Sequence, residues 1–145
     1  MSELVEKIRN LSKYLCAFLN SNSGVIYLGI NDDGLVKGIK LSKDQYELAE
    51  FEIGNMINSF EDHVVEGNYI MFQFCQVHRL EDNSVIEDLY VIEILVKQGM
   101  LDHVYTTPFK DVKTNDYQCY IKLNGTKKKI EGQNLYKYLK NKIRN

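Results

Sequence analysis

Near the start of the chain the apolar positions recur at helical spacing. Leu4, Ile8, Leu11, Leu15, Phe18 and Leu19 stand three and four residues apart, which predicts an amphipathic helix from about Ser2 to Leu19, ended by Asn20 to Ser23. The pattern then changes. Val25 to Ile30 is an unbroken apolar run too short for a helix, and it predicts a central strand covered on both faces. Asp32-Asp33-Gly34 reads as a tight turn, because Asp-Gly tolerates positive φ, with Val36 to Ile39 returning as a short antiparallel strand. Ser42 followed by Gln45 has capping-box spacing. It predicts a second helix through about Phe60, with Leu48, Phe51, Ile53, Met56, Ile57 and Phe60 largely on one side.

Period-two patterning dominates the next stretch. Tyr69 to His78 places Ile70, Phe72 and Phe74 on one face, and Leu89 to Lys97 is apolar except for Glu93, so the two predict a hairpin across the polar turn Glu81 to Ser84. In the second of these strands Leu89, Val91 and Leu95 lie opposite Tyr90, Ile92 and Ile94, so both faces call for cover. Lys97 to Asp116, which contains the sole proline, Pro108, predicts an irregular loop. Tyr117 to Leu123 and Thr126 to Ile130 form a further hairpin around Asn124-Gly125, and Leu135, Tyr138, Leu139 and Ile143 predict a short basic terminal helix. The order helix, hairpin, helix, hairpin, hairpin, helix points to an α+β domain, a mostly antiparallel sheet with helices packed on it. No internal repeat appears.

Composition changes this picture little. With 145 residues, 44% apolar and 26% charged, the chain suits one domain, residues 1–145, able to bury roughly two-thirds of its unfolded surface. No apolar run reaches the roughly 20 residues that span a bilayer, and no secretory signal pattern opens the chain. The expectation is a soluble, intracellular protein, cytoplasmic and without membrane contact. Cys16, Cys75 and Cys119 form no C-x-x-C pair, and His63, His78 and His103 are scattered, so neither a disulfide framework nor a zinc site is expected.

Charge adds more. Residues 105–145 hold ten Lys and Arg against three acidic residues, a local net of +7, which leaves −9 for the rest of a chain whose total is −2. Such a division focuses a polyanion on one face, although a solvated lysine-rich terminus has the same composition. The candidate polyanion-binding residues are Lys122, Lys127, Lys128 and Lys129, which would neutralise phosphates of a nucleic acid, with Tyr120 and Tyr117 near them to stack bases or to serve the core.

The run Leu15-Cys16-Ala17-Phe18-Leu19-Asn20-Ser21-Asn22-Ser23-Gly24-Val25-Ile26-Tyr27-Leu28-Gly29-Ile30-Asn31-Asp32-Asp33-Gly34, followed by Val36-Lys37-Gly38-Ile39, resembles the Schlafen-like, AlbA-type domain. That family has a helix ending in A-[FL]-x-N, a glycine pair opening a core strand, and a strand closing in G-[IV]-x-D-x-G-x-x-x-G. Ser23 stands in place of the first glycine of the pair. Cys119-Tyr120-Ile121-Lys122-Leu123-Asn124-Gly125-Thr126 is similar to the family's late strand and turn. Within these motifs, Gly24 permits a tight passage from helix to strand, while Gly29 marks a bulge, a close backbone approach or helix packing. Asn20 is expected to cap the helix through the left-handed conformation or to contact RNA.

The resemblance implies RNA work. Schlafen nucleases cleave transfer and ribosomal RNA with three carboxylates, two from an E-x-x-x-x-E-F-K strand before the first helix and one at the end of the next strand, a donor set suited to Mg²⁺ or Mn²⁺. The third maps onto Asp32, the candidate catalytic and metal-binding residue here, though an aspartate in such a turn equally serves to shape it. The first two have no counterpart, since Glu3 and Glu6 have another spacing and fall within the predicted helix. The resemblance therefore implies a non-catalytic, RNA-binding subunit of a composite endoribonuclease acting on structured RNA or small-RNA precursors, piRNA precursors among them. Other Schlafen-like subunits, in a homo- or hetero-oligomer, would supply the missing carboxylates, and Mg²⁺ or Mn²⁺ would belong to the assembled complex. A binding module without chemistry, and a standalone nuclease recruiting Glu3, Glu6 and Asp32, are the alternatives.

Overall fold

The computed structural model describes residues 2–61, 64, 66–123, 126–131, 137–138 and 141. Its elements are α1 (Ser2–Asn20), β1 (Gly24–Leu28), β2 (Ile39–Lys40), α2 (Lys43–Asn58), β3 (Ile70–His78), β4 (Val85–Val96), β5 (Cys119–Leu123) and β6 (Thr126–Ile130). The class is α+β, as the order of patterns predicts. The Asn124-Gly125 turn, His63 and most of the predicted terminal helix lie outside the described residues.

The twelve-residue β4 is the spine of the main sheet. It pairs with β3 along one edge, Ile70 opposite Val96 through Gln76 opposite Tyr90, and along the other with β1 and then β2, all antiparallel. One isolated parallel bridge joins Glu66 to Ile70. β5 and β6 form a second, two-stranded sheet. Ile92, Ile94 and Val96 of β4 point into one core cluster with Ile8, Leu11, Leu15 and Leu19 of α1 and with Ile53, Met56 and Ile57 of α2. No helix among the described residues is long and apolar enough to cross a membrane.

Three expectations need correction. The first strand is not central: among the described residues β1 pairs only with β4, and Val25 and Tyr27 are exposed on its outer face. Its unbroken apolar run reflects one face in the core and one face left open. The return strand is not Val36 to Ile39: after an isolated Ile30–Val36 bridge the chain pairs at Ile39 and Lys40 with β4 instead. Finally, Phe51 stands outside the apolar side of α2 and is 66% exposed. It lies two residues, about 200° of helical rotation, from buried Ile53. Glu52 takes the inward position, 3.6 Å from the Arg9 guanidinium of α1.

Two glycines explain the shape of the family-like motif. A Cβ on Gly24 would lie 2.0 Å from the Phe18 ring, so this position lets the chain fold back over the end of α1. Gly29 has φ +100°, and its carbonyl accepts from the N–H groups of both Lys37 and Gly38 at 2.8 Å, which gathers the turn beneath it.

Candidate nucleic-acid interface

The candidate interface is built from one face of α1 and the β5–β6 hairpin. What joins them is Asn20, the last residue of α1, only 1% exposed. Its side-chain nitrogen donates to the carbonyls of Tyr105 at 2.8 Å and Tyr120 at 2.9 Å, while its oxygen accepts from the Tyr105 N–H at 2.7 Å. The Cys16 thiol adds a contact to the Tyr105 carbonyl at 3.2 Å. Asn20 is thus structural, but by another route than a left-handed cap: it keeps its helical backbone and clamps the long loop and β5 onto α1. A buried amide that meets three backbone groups satisfies polar atoms that would otherwise each cost about 1–3 kcal/mol.

Register decides which lysines cooperate. Lys122 faces Lys127 and Tyr120 faces Lys129 across the hairpin, so these four side chains share one side, whereas Lys128, opposite Ile121, belongs to the other. The shared side meets α1. The Lys122 ammonium stands 4.9 Å from the centre of the Phe18 ring, and that of Lys127 stands 5.1 Å from the Tyr14 ring and 5.4 Å from the Tyr120 ring. From the helix, Lys13 reaches to 5.9 Å over Tyr120. At these distances cation and ring attract, so the rings hold the lysines in place without neutralising them. The result is a fixed cluster of positive charge with aromatic spacers.

Tyr120 does not fit the role of a stacking platform. It is 7% exposed, its hydroxyl donates to the Gln118 side-chain oxygen at 2.8 Å, and burial pushes its phenol up against the opposing pull of Lys129. It forms the floor under the lysines. The exposed rings are Tyr14 and Tyr117, the latter 5.6 Å from the Lys110 ammonium. Lys13 and Tyr14 carry no sign of this role in the sequence, because a lysine and a tyrosine on the polar side of a helix read as solvated surface.

Asp32 stands elsewhere, exposed in the turn after β1. Asn31 shapes that turn: its side-chain oxygen accepts from the N–H groups of Asp33 and Leu35 at 3.0 Å, and its carbonyl from Gly34 at 2.9 Å. Gly34 supplies the positive φ of +81°. Among the described residues there is no group of three or more His, Cys, Asp or Glu placed to hold a metal ion. The described surroundings of Asp32 therefore do not fit a resident Mg²⁺ or Mn²⁺, which takes several oxygen ligands. Glu3 and Glu6 are exposed on the first turns of α1.

A second surface lies on the outer face of the main sheet. Val25, Leu95 and Met71 stand in register across β1, β4 and β3, with Tyr27, Glu93 and Gln73 in the adjoining row. Val25, Met71 and Leu95 are all exposed, and the Gln73 amide donates to Glu93 at 2.7 Å. Among the described residues the inner face of β4 is covered, while on its outer face Val91 is buried and Leu95 is exposed.

The family model described as Schlafen, AlbA_2 matches residues 2–131.

Proposed function

Because the chain belongs to the Schlafen, AlbA_2 family, whose domains bind nucleic acid, we propose that it is an RNA-binding subunit of a Schlafen-like endoribonuclease complex that processes structured RNA or small-RNA precursors. The observation that carries the reading is the cluster of Lys13, Lys122 and Lys127 on the rings of Tyr14, Phe18 and Tyr120, with Lys129 on the same side. Phosphates would meet the ammonium groups and bases the exposed Tyr14, an arrangement that tolerates many sequences. Chemistry would come from partner lobes, with Mg²⁺ or Mn²⁺ held in the assembled complex. The open row Val25–Leu95–Met71 is the surface that supports such an assembly, since exposed apolar patches on soluble domains mark contact sites.

Changing Lys127, Lys128 and Lys129 together to Glu tests the binding half. We expect RNA affinity to fall on the order of tenfold or more, with a shallower dependence on salt. Unchanged affinity would remove the hairpin from the account. The purified chain alone is expected not to cleave structured RNA with Mg²⁺ or Mn²⁺, and cleavage abolished by Asp32→Ala would favour a standalone nuclease. For assembly, a partner recovered from native cells should carry an E-x-x-x-x-E motif. Isolation of the protein only as a free monomer would count against a composite enzyme.

A further inference from the structure

Beside the basic cluster, α1 and the segment 107–118 enclose a cleft of about 610 Å³, within the range of roughly 300–1,000 Å³ typical of small-ligand sites. Its lining divides by chemistry. Phe109 is the flat apolar wall, and the Arg9 guanidinium lies 5.5 Å from the centre of its ring. Asn10, Ser12 and Gln118 supply hydrogen-bonding groups, Ser12 and Gln118 being largely buried. The Gln118 oxygen is already taken by the Tyr120 hydroxyl, which leaves the amide nitrogen as the donor. On the rim, the Asp111 carboxylate accepts from the backbone N–H groups of Lys113 and Thr114, so the loop itself occupies it.

Lys13 connects the cleft to the lysine cluster. It lines the cleft and also stands over Tyr120, the ring that Lys127 caps. A strand whose phosphates follow Lys127 and Lys13 is therefore led to the mouth of a pocket with a flat apolar wall, a guanidinium plane and polar edges. Those are the features that hold a splayed-out base of single-stranded RNA by stacking and edge hydrogen bonds.

We propose that this cleft takes one unstacked base of the bound RNA strand. The inference rests on the reading of the α1–hairpin face as the RNA-binding surface, and it adds a second base contact to the one that the exposed Tyr14 offers. Phosphate contacts alone would make the protein indifferent to whether the strand carries bases at all. Tyr14 and the cleft together make it sensitive to them.

The test compares two single-stranded RNA probes of about a dozen nucleotides, one intact and one with every base removed, which carry the same phosphates. The wild-type protein should bind the intact strand on the order of tenfold or more tighter. Asn10→Trp and Val112→Trp fill the cleft from opposite walls at exposed positions. Each should lower that preference several-fold, the remainder being the Tyr14 contact, while leaving the salt dependence of binding as in the wild type. If both variants, shown to be folded by circular dichroism, keep the wild-type preference, the cleft proposal is overturned. The Lys127, Lys128 and Lys129 to Glu variant separates the two readings. If it loses affinity and the filled-cleft variants do not, the basic face stands and the cleft falls; if no variant changes binding, both fall.

Discussion

The two described hairpins use the same device for opposite ends. β3–β4 is long and apolar on its inner face, and it carries the core directly through Ile70, Ile92, Ile94 and Val96. β5–β6 has five residues in each strand and four lysines, Lys122 and Lys127 to Lys129, too small and too charged to hold itself in place. It depends on a neighbour. Asn20 and Cys16 of α1 fasten its backbone, and Tyr14 and Phe18 seat its lysines. One hairpin is the scaffold, and the other is a charged tool clamped to it. Separating the two jobs leaves the second hairpin's side chains for the phosphate contacts proposed above.

The sharpest way to break that contrast is to weaken each hairpin by its own mechanism. Ile94→Ala should cost about 2–5 kcal/mol in urea unfolding, as a wholly buried side chain is replaced by a cavity. Asn20→Ala should cost somewhat less, about 1–3 kcal/mol, by removing the amide's bonds to the buried carbonyls of Tyr105 and Tyr120 and to the Tyr105 N–H. It should also loosen β5 selectively, so hydrogen exchange at Tyr120 to Lys122 should accelerate while that at Val91 to Leu95 does not. Equal acceleration in both would show that the hairpins are not independent.

A finer comparison lies within β6. Lys129→Glu should weaken RNA binding several-fold more than Lys128→Glu, because only Lys129 shares the side that meets α1. Equal losses, read by fluorescence anisotropy, would mean that simple net charge governs binding.

The smallest effect concerns the loops that serve the hairpins. Asp82 in the β3–β4 turn is held below the ordinary carboxylate value by the Ser84 hydroxyl and N–H, and Asp111 before β5 by the N–H groups of Thr114 and Lys113. A lowered folded-state pKa means a contribution that is complete above the ordinary carboxylate value and is lost as pH falls through the lowered one. Amide shifts of Ser84, Lys113 and Thr114 should therefore titrate at acidic pH below that ordinary value. Midpoints at or above it would remove these carboxylates from loop ordering.

What the amino-acid order determined by itself rests on near neighbours. The spacing of Leu4 to Leu19 marked α1, Ser42 and Gln45 marked the cap of α2, and alternation marked β3. In the cap, the Gln45 N–H donates to the Ser42 hydroxyl oxygen at 3.3 Å, and the Ser42 N–H donates to the Gln45 side-chain oxygen at 2.9 Å. These follow from local geometry, which a pattern of types expresses directly. Only the tertiary structure decided that β1 is an edge strand, that Asn20 is a clamp and that Tyr120 is a floor while Tyr14 is exposed. Each of those outcomes turns on partners about 70 to 100 positions away, such as Asn20 with Tyr105 and Tyr120, and Gly24 with Val96. A periodic pattern shows which side of an element is apolar. It does not say which distant segment covers that side, and the choice of that segment is what turned scattered lysines into a surface.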